Sequence, residues 1–475
     1  MLRTAHTENG TVKGLPADDP RVTVYKGIPF AKPPVGELRW RAPEPADDWE
    51  GERECYSFAP VSMQDIPGVN PDLYAREFHV DPEIEISEDS LYLNIWTGAK
   101  NTSEKLPVLV WIYGGAFQWG YTSEMEFNGE RLARHGIIVV SIAYRLGVFG
   151  FLAHPELSEE SPKAPTNFGL LDQQAALSWV YRNIAAFGGD PENITLAGQS
   201  AGGASVTYQL ANEKSAQIIK KASIFSGLIR NPFYRDDIIQ PKRIEDVYEN
   251  GKEFLTYLGC SSIEEARGID ACTIRDAYWE YVKNHPRFVP CIDDAFTKND
   301  PFEMILAGDL PDIPLLTGYT KDEFTDKLPA RADATDITVM SDVFEKGGIR
   351  MFNVVCDSVR RVASSLIEKG AQSPVFTYRF APSIPGDDDP GVFHSCDLWF
   401  FFENIQKCWR PYNGSHYALA RRMCDYWSNF IRYGDPNGEG YDGKTLPKWN
   451  KVASSDPARY EMLFDERAQV DITFC

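Results

Sequence analysis

The chain has 475 residues, 43% of them hydrophobic, 13% aromatic and 25% charged, an ordinary soluble balance with ample material for a large core. Its formal charge of −21 repels a phosphate backbone and an anionic bilayer surface alike, which excludes nucleic acid and such membranes as expected partners. Residues 1–10 carry no apolar run of the signal-peptide kind, no stretch approaches a membrane span, and the nine cysteines include no C-x-x-C pair, so a cytoplasmic protein with free thiols, no metal and no cofactor is expected.

No Gly/Ser run, proline tract, block of like charge or repeat divides the chain. One large α/β domain over 1–475 is therefore expected, as a monomer or weak homo-oligomer, with insertions around 240–310 and 325–350. Near the start, Arg21–Pro29 reads as one arm of a hairpin, and Ala31–Gly36 as a turn set by its prolines. Pro107–Tyr113 is a continuous apolar run that ends in Gly114-Gly115-Ala116-Phe117. Ile137–Tyr144 is a second such run. Runs of this kind read as strands buried on both faces. Asn167–Ala186 has a helical apolar pattern.

Asn193–Ala197 then predicts a short strand that ends in Gly198-Gln199-Ser200-Ala201-Gly202, and Ala201–Leu210 predicts the helix that follows. A G-x-S-x-G on a strand-to-helix turn holds a serine hydroxyl in the open at a helix N-terminus, where negative charge is favoured. Lys221–Ser226, Pro314–Gly318 and Pro374–Arg379 complete the strand candidates. Two charged, helix-rich segments within Pro241–Arg350 flank the Pro314 strand and are expected over the strand C-termini. Alternating strands and helices argue a largely parallel sheet with helices on both faces.

A serine needs a base, the base needs an orienting acid, and the oxyanion needs backbone N–H donors. Small residues after Pro107–Tyr113 leave amides approachable, so Gly115 and Ala116 are the donor candidates, with Ala201 from the turn itself. In α/β-hydrolases the order is serine, acid, histidine. Only His285, His394 and His416 follow Ser200. His285 lies in a charged insert and His416 at an exposed turn into a helix, so His394 is the expected base. The acid lies just past the Pro314 strand, where Asp322 and Glu323 are both available and the residues alone do not choose. The other of the two reads as a solvated loop charge. Phe117, Trp119, Phe324, Phe393 and Trp399 are candidates to line an apolar gorge, although Trp399–Phe402 reads equally well as buried helix. Cys396 is either open to thiol reagents or inert.

With these residues in place, the chain resembles the type-B carboxylesterases, the family that includes cholinesterases and bacterial para-nitrobenzyl esterases. The likeness runs from about Gly10 to beyond Trp449. Phe187–Gly202 matches the family's serine motif at every defined position, and Glu88–Trp96 matches its second motif except at one residue. Gly27–Pro34, Tyr144-Arg145 and Phe149–Leu152 also look like family stretches. The resemblance implies an α/β-hydrolase fold and a serine esterase, and the aromatic gorge candidates add small to medium apolar or aryl esters as its expected substrates. It implies Glu323 as the acid, His394 as the base, and Gly115, Ala116 and Ala201 as the oxyanion hole. It also implies Ser226 as support for the acid, and two buried ion pairs, Arg39 with Glu88 and Arg145 with Asp172.

Three departures accompany it. Ser90 stands where the family usually has a cysteine, so Cys55, which matches the partner, cannot pair there. Cys260 and Cys272 match a second family disulfide in spacing and are expected as thiols in a reducing compartment. Ala116 replaces a usual glycine, and Phe324 follows Glu323 where glycine is common. Amide or thioester cleavage by the same residues stays open. A binding protein on this fold would typically lack part of the triad.

Overall fold

The computed structural model describes residues 1–65, 73–78, 81, 84–230, 240–323 and 351–465, without the side chains of 351–354. The strands run in chain order as β1 Thr4–Thr7, β2 Gly10–Lys13, β3 Leu15–Pro16, β4 Thr23–Pro29, β5 Glu52–Glu54, β6 Tyr92–Thr97, β7 Leu106–Ile112, β8 Ile138–Ile142, β9 Gly189–Gln199, β10 Lys221–Phe225, β11 Leu315–Thr320, β12 Val375–Phe380 and β13 Met462–Phe464. β1, β2 and β5 make a small sheet, and the other ten form one large sheet in the order β13-β12-β11-β10-β9-β7-β8-β6-β4-β3.

From β8 to β13 every pairing in the large sheet is parallel, whereas β6, β4 and β3 join antiparallel at one edge. Each apolar run in the sequence becomes one of the central strands, and β7, β8, β10 and β11 are buried along almost their whole length. That pattern is what burial on both faces requires. The Arg21–Pro29 arm becomes β4, which pairs with β6 and is kinked between Tyr25 and Ile28. Asn167–Ala186 becomes the helix Phe168–Asn183 with a 3₁₀ turn behind it. Less legible were the long helices Met351–Glu368 and Gly414–Tyr433, which pack on β11 and on β7 and β9. In the second, Trp427 donates its indole N–H to Ser223 on β10 at 3.0 Å.

Register decides where the chemistry sits. Ile112 on β7 lies beside Gly198 on β9, Gln199 beside Phe225 on β10, and Phe225 beside Gly318 on β11. The loops that leave these strands therefore emerge together at the C-terminal edge of the parallel sheet. Four helices of the first insert, Ile244–Tyr257, Ile263–Arg267, Ala271–Tyr281 and Pro301–Ala307, lie between β10 and β11 in sequence. The insert is tied to the loop after β7 by Tyr278, whose hydroxyl donates to Gln118 Oε1 at 2.5 Å, and by Gln118 Nε2 donating to Phe288 O at 2.9 Å. The expected second insert, 325–350, lies outside the described residues. Among the described residues no helix is long and apolar enough to cross a membrane, and every described cysteine, Cys260 and Cys272 included, is a free thiol.

Candidate active site

Ser200 caps the helix Ala201–Ala211 with φ 54° and ψ −125°, a conformation that costs a residue with a Cβ of order 1–3 kcal/mol and survives only when its surroundings enforce it. They do. The Ser200 N–H is held by Phe225 O at 2.9 Å. A Cβ on Gly198 would lie 2.3 Å from Gly202 O, and one on Gly202 would lie 2.1 Å from Ile112 O. Glycine at these two positions lets the turn close on itself and on β7.

The loop after β7 is equally constrained. Gly115, Ala116 and Phe117 all have positive φ, at 98°, 52° and 61°. Such a run turns successive N–H groups to one side. Gly114 brings the loop against the turn, since a Cβ there would lie 3.1 Å from Ser200 Cβ. Gln118 and Trp119 both donate their N–H groups to Gly115 O, at 2.8 and 2.9 Å, which fixes the loop's shape. Among the described residues the N–H groups of Gly115, Ala116 and Ala201 have no acceptor. The methyl of Ala116 is accommodated in the left-handed region.

Glu323 is fully buried. It accepts the Thr320 N–H at 2.9 Å and the Ser226 hydroxyl on Oε1, and meets His394 Nδ1 through Oε2. A carboxylate held by two other donors presents its remaining oxygen to one ring nitrogen, which fixes the imidazole as the Nδ1–H tautomer. Ser226 leaves β10 with φ 44° and donates its N–H to Gly318 O at 2.9 Å, locking β10 to β11 beside the carboxylate.

Asp322 corrects the expectation of a solvated loop charge. Its carboxylate accepts the Val392 N–H at 2.8 Å, and its own N–H donates to Val392 O at 3.0 Å. The acid that is not against His394 thus clasps the loop that carries His394. The two adjacent carboxylates divide position and contact between them.

Gln199 is a residue that sequence reasoning missed. It fills an unspecified position of G-x-S-x-G, so no motif signal marks it. It is buried, and its side-chain Nε2 lies 3.0 Å from His394 Nε2. With Nδ1–H given to Glu323, the amide donates to the Nε2 lone pair. Among the described residues the Ser200 hydroxyl makes no hydrogen bond to that nitrogen. Three residues beyond His394, Asp397 is fully buried. The Tyr378 hydroxyl donates to its Oδ2 at 2.6 Å, its Oδ1 has no partner among the described residues, and burial pushes its carboxyl up to about 7.

The other sequence candidates divide. Trp119 is partly exposed and stacks on Trp279 with centroids 5.0 Å apart. Phe117 is buried against Phe151, and Phe393 is buried among Tyr74, Phe78 and the Arg410 guanidinium. Trp399 is a correction: it is fully enclosed, stacked on Phe78 and donating to Glu77 at 3.2 Å, so it belongs to the core. Phe324 lies outside the described residues. His416 is also a correction, being buried in a capping box with Asn413 rather than exposed. His285 is exposed and stacks on Tyr281. Cys396 is fully buried, and burial raises its thiol well above the usual range, which leaves it inert.

Both expected ion pairs are present, with Arg39, Arg145 and Asp172 buried and the Glu88 side chain nearly so. Arg39 grips Glu88 through two bonds of 2.6 Å, and Arg145 grips Asp172 through bonds of 2.8 and 2.7 Å. Ser90 fills the cysteine position with a hydroxyl 3.0 Å from Ser62 Oγ.

The carboxylesterase family model matches residues 2–351 and 346–472. A mouse cholinesterase is 30% identical over 98% of this chain and 83% of its own length. An acetylcholinesterase of Bungarus fasciatus is 32% identical over 90% of this chain and 78% of its own. Among solved structures, a PNB esterase superposes with TM-score 0.81 at 29% identity, and a Geobacillus stearothermophilus carboxylesterase with 0.79 at 32%. Each of these covers 98% of this chain and 96% of the other. With an α/β sheet of this order and a family match along nearly its whole length, the chain belongs to the carboxylesterase family and is a carboxylic ester hydrolase.

Proposed function

We propose that this carboxylesterase works through an acyl-enzyme on Ser200, and that its substrates are small to medium apolar or aryl esters. Ser200 Oγ attacks the ester carbonyl while His394 Nε2 takes its proton. Glu323 holds the imidazole and stabilises the imidazolium that forms. The Gly115, Ala116 and Ala201 N–H groups receive the oxyanion. His394 then protonates the leaving alcohol and activates the water that releases the acid. Gln199 shares Nε2 in the free chain, and its hydrogen bond is exchanged for that of Ser200 when the proton moves.

One observation carries the reading: the strained Ser200 turn packs against the loop of Gly115 and Ala116, whose N–H groups, with that of Ala201, have no acceptor among the described residues, and the adjacent Gln199 meets a histidine whose far nitrogen touches a buried carboxylate. The aromatic pair Trp119 and Trp279 supports the apolar preference. Hydrolysis of aryl esters graded by acyl length, with Ser200→Ala as control, tests it. Rates should favour neutral esters, and turnover should fall by about 10³-fold or more in Ser200→Ala with the fold retained. A variant that turns over within a few-fold of the parent would refute the assignment. Because His394 acts as a neutral base, activity should also fall as the pH drops.

A further inference from the structure

We propose that His135, Glu403 and Cys424 form a zinc-binding site that staples three distant segments of the fold. His135 follows the helix Glu130–Arg134, Glu403 follows the helix Leu398–Phe401, and Cys424 lies within the helix Gly414–Tyr433. One ligand atom from each lies within 4.8 Å of the others. His135 Nε2 is 3.9 Å from Glu403 Oε2 and 3.9 Å from Cys424 Sγ. Zinc bonds of about 2.0–2.3 Å at tetrahedral angles put neighbouring ligand atoms roughly 3.3–3.6 Å apart. The two distances to His135 therefore need to close by only a few tenths of an ångström around an ion, and Glu403 and Cys424, within 4.8 Å of each other, by about an ångström at most.

The outer shell is already arranged. Asp425 Oδ1 lies 3.5 Å from His135 Nδ1 and accepts the Tyr441 N–H at 2.9 Å. A carboxylate behind the far ring nitrogen favours the tautomer whose Nε2 lone pair points at Glu403 and Cys424, as in carboxylate–histidine–zinc sites. Glu403 divides its oxygens, with Oε1 3.8 Å from Arg421 and Oε2 towards His135. A cavity of about 310 Å³, lined by His135 and Asp425 among others, opens beside the cluster. Of the three ligands only His135 lines it, so an ion would enter past the imidazole. Sulfur, imidazole and carboxylate together select zinc over magnesium or calcium.

Arg134 and Arg432 also line this cavity. Against them stand Glu403, Asp425 and the thiolate that Cys424 becomes when the zinc–sulfur bond forms and its proton passes to solvent. The site lies at the N-terminal end of the parallel strands, because His135 precedes β8 and Ser200 leaves the far end of β9. It is structural and separate from the ester chemistry.

The test uses the full chain freed of metal with a chelator and titrated with zinc chloride by calorimetry, then with cobalt(II) followed by absorption. The expected result is one zinc per chain, a higher melting temperature, and a thiolate-to-cobalt charge-transfer band. Cys424→Ser and Glu403→Gln should each lose the band or at least tenfold in affinity, and Asp425→Asn about tenfold through His135. Ester hydrolysis by all three should match the parent. No zinc binding, equal binding by the parent and Cys424→Ser, or a cobalt complex without the thiolate band would each overturn the site.

Discussion

At the scale of single residues, the mechanism turns on which group occupies His394 Nε2. In the free chain that nitrogen accepts from Gln199. A carboxylate in the same place would stabilise the imidazolium. Gln199→Glu should therefore move the acid limb of the kcat/KM profile to higher pH, and an unmoved limb would remove Gln199 from the account. Asp397 makes a separate prediction. Its folded carboxyl titrates at about 7 against an ordinary 3.8, so between those values the folded chain holds a proton that the unfolded chain has released. Stability falls as the pH rises through that window, and the full cost is felt above it. Asp397→Asn should abolish the slope and gain on the order of 3 kcal/mol at pH 8 with little change near pH 4. Denaturation midpoints across pH would check this, and parallel curves for parent and variant would contradict it.

Residues of this kind were the least legible. Ser200, Glu323 and His394 stand in motifs or in a fixed chain order. Gln199 and Asp397 act through burial and through what faces them, and neither is written in spacing. Asp322 was visible only as the rival of Glu323, because its partner Val392 lies 70 residues away.

At the scale of elements, the site is assembled by clasps between loops. Asp322 joins the β11 loop to the His394 loop through Val392. Asp322→Ala should leave the sheet intact but lower kcat about tenfold or more with a smaller effect on KM, since a base displaced by an ångström loses rate before binding. Steady-state kinetics on a neutral aryl ester decides it, and unchanged kcat would deny the clasp its role. Arg39 is a second clasp. Besides Glu88 it donates to the carbonyls of Ala266, Arg267 and Ile269, at the C-terminal end of the helix Ile263–Arg267. A guanidinium there satisfies carbonyls that the helix leaves open. Arg39→Leu strands a buried carboxylate and should cost about 3–5 kcal/mol by chemical denaturation, and a loss below 1 kcal/mol would mean that Glu88 finds water. Strands were read well at this scale because double-sided burial writes itself as Val/Ile/Leu runs. β9 is longer than its apolar core because Gly189–Asn193 extends it through polar residues.

At the scale of the whole molecule, the parallel sheet and its loops followed from the alternation of apolar runs with helical patterns. The antiparallel edge followed only at β4, from the Arg21–Pro29 arm; β3 is two exposed residues that resemble a loop, and nothing in the mostly buried β6 marks its direction. The field of the molecule carries its own prediction. A charge of −21 repels anionic esters over a screening length of about 10 Å at 0.1 M salt. For an ester carrying a carboxylate, kcat/KM should rise with salt, while a neutral ester of equal size should be nearly indifferent. Equal salt response for both would show that the charge lies away from the approach to Ser200.

The central claim is a covalent acyl group on Ser200. Acid quench of the chain during turnover of an aryl ester, followed by intact mass and peptide mapping, tests it most directly. The account predicts one acyl mass on the peptide bearing Ser200 and none on Ser200→Ala. An acyl group on another side chain, or Ser200→Ala turning over like the parent, would contradict it.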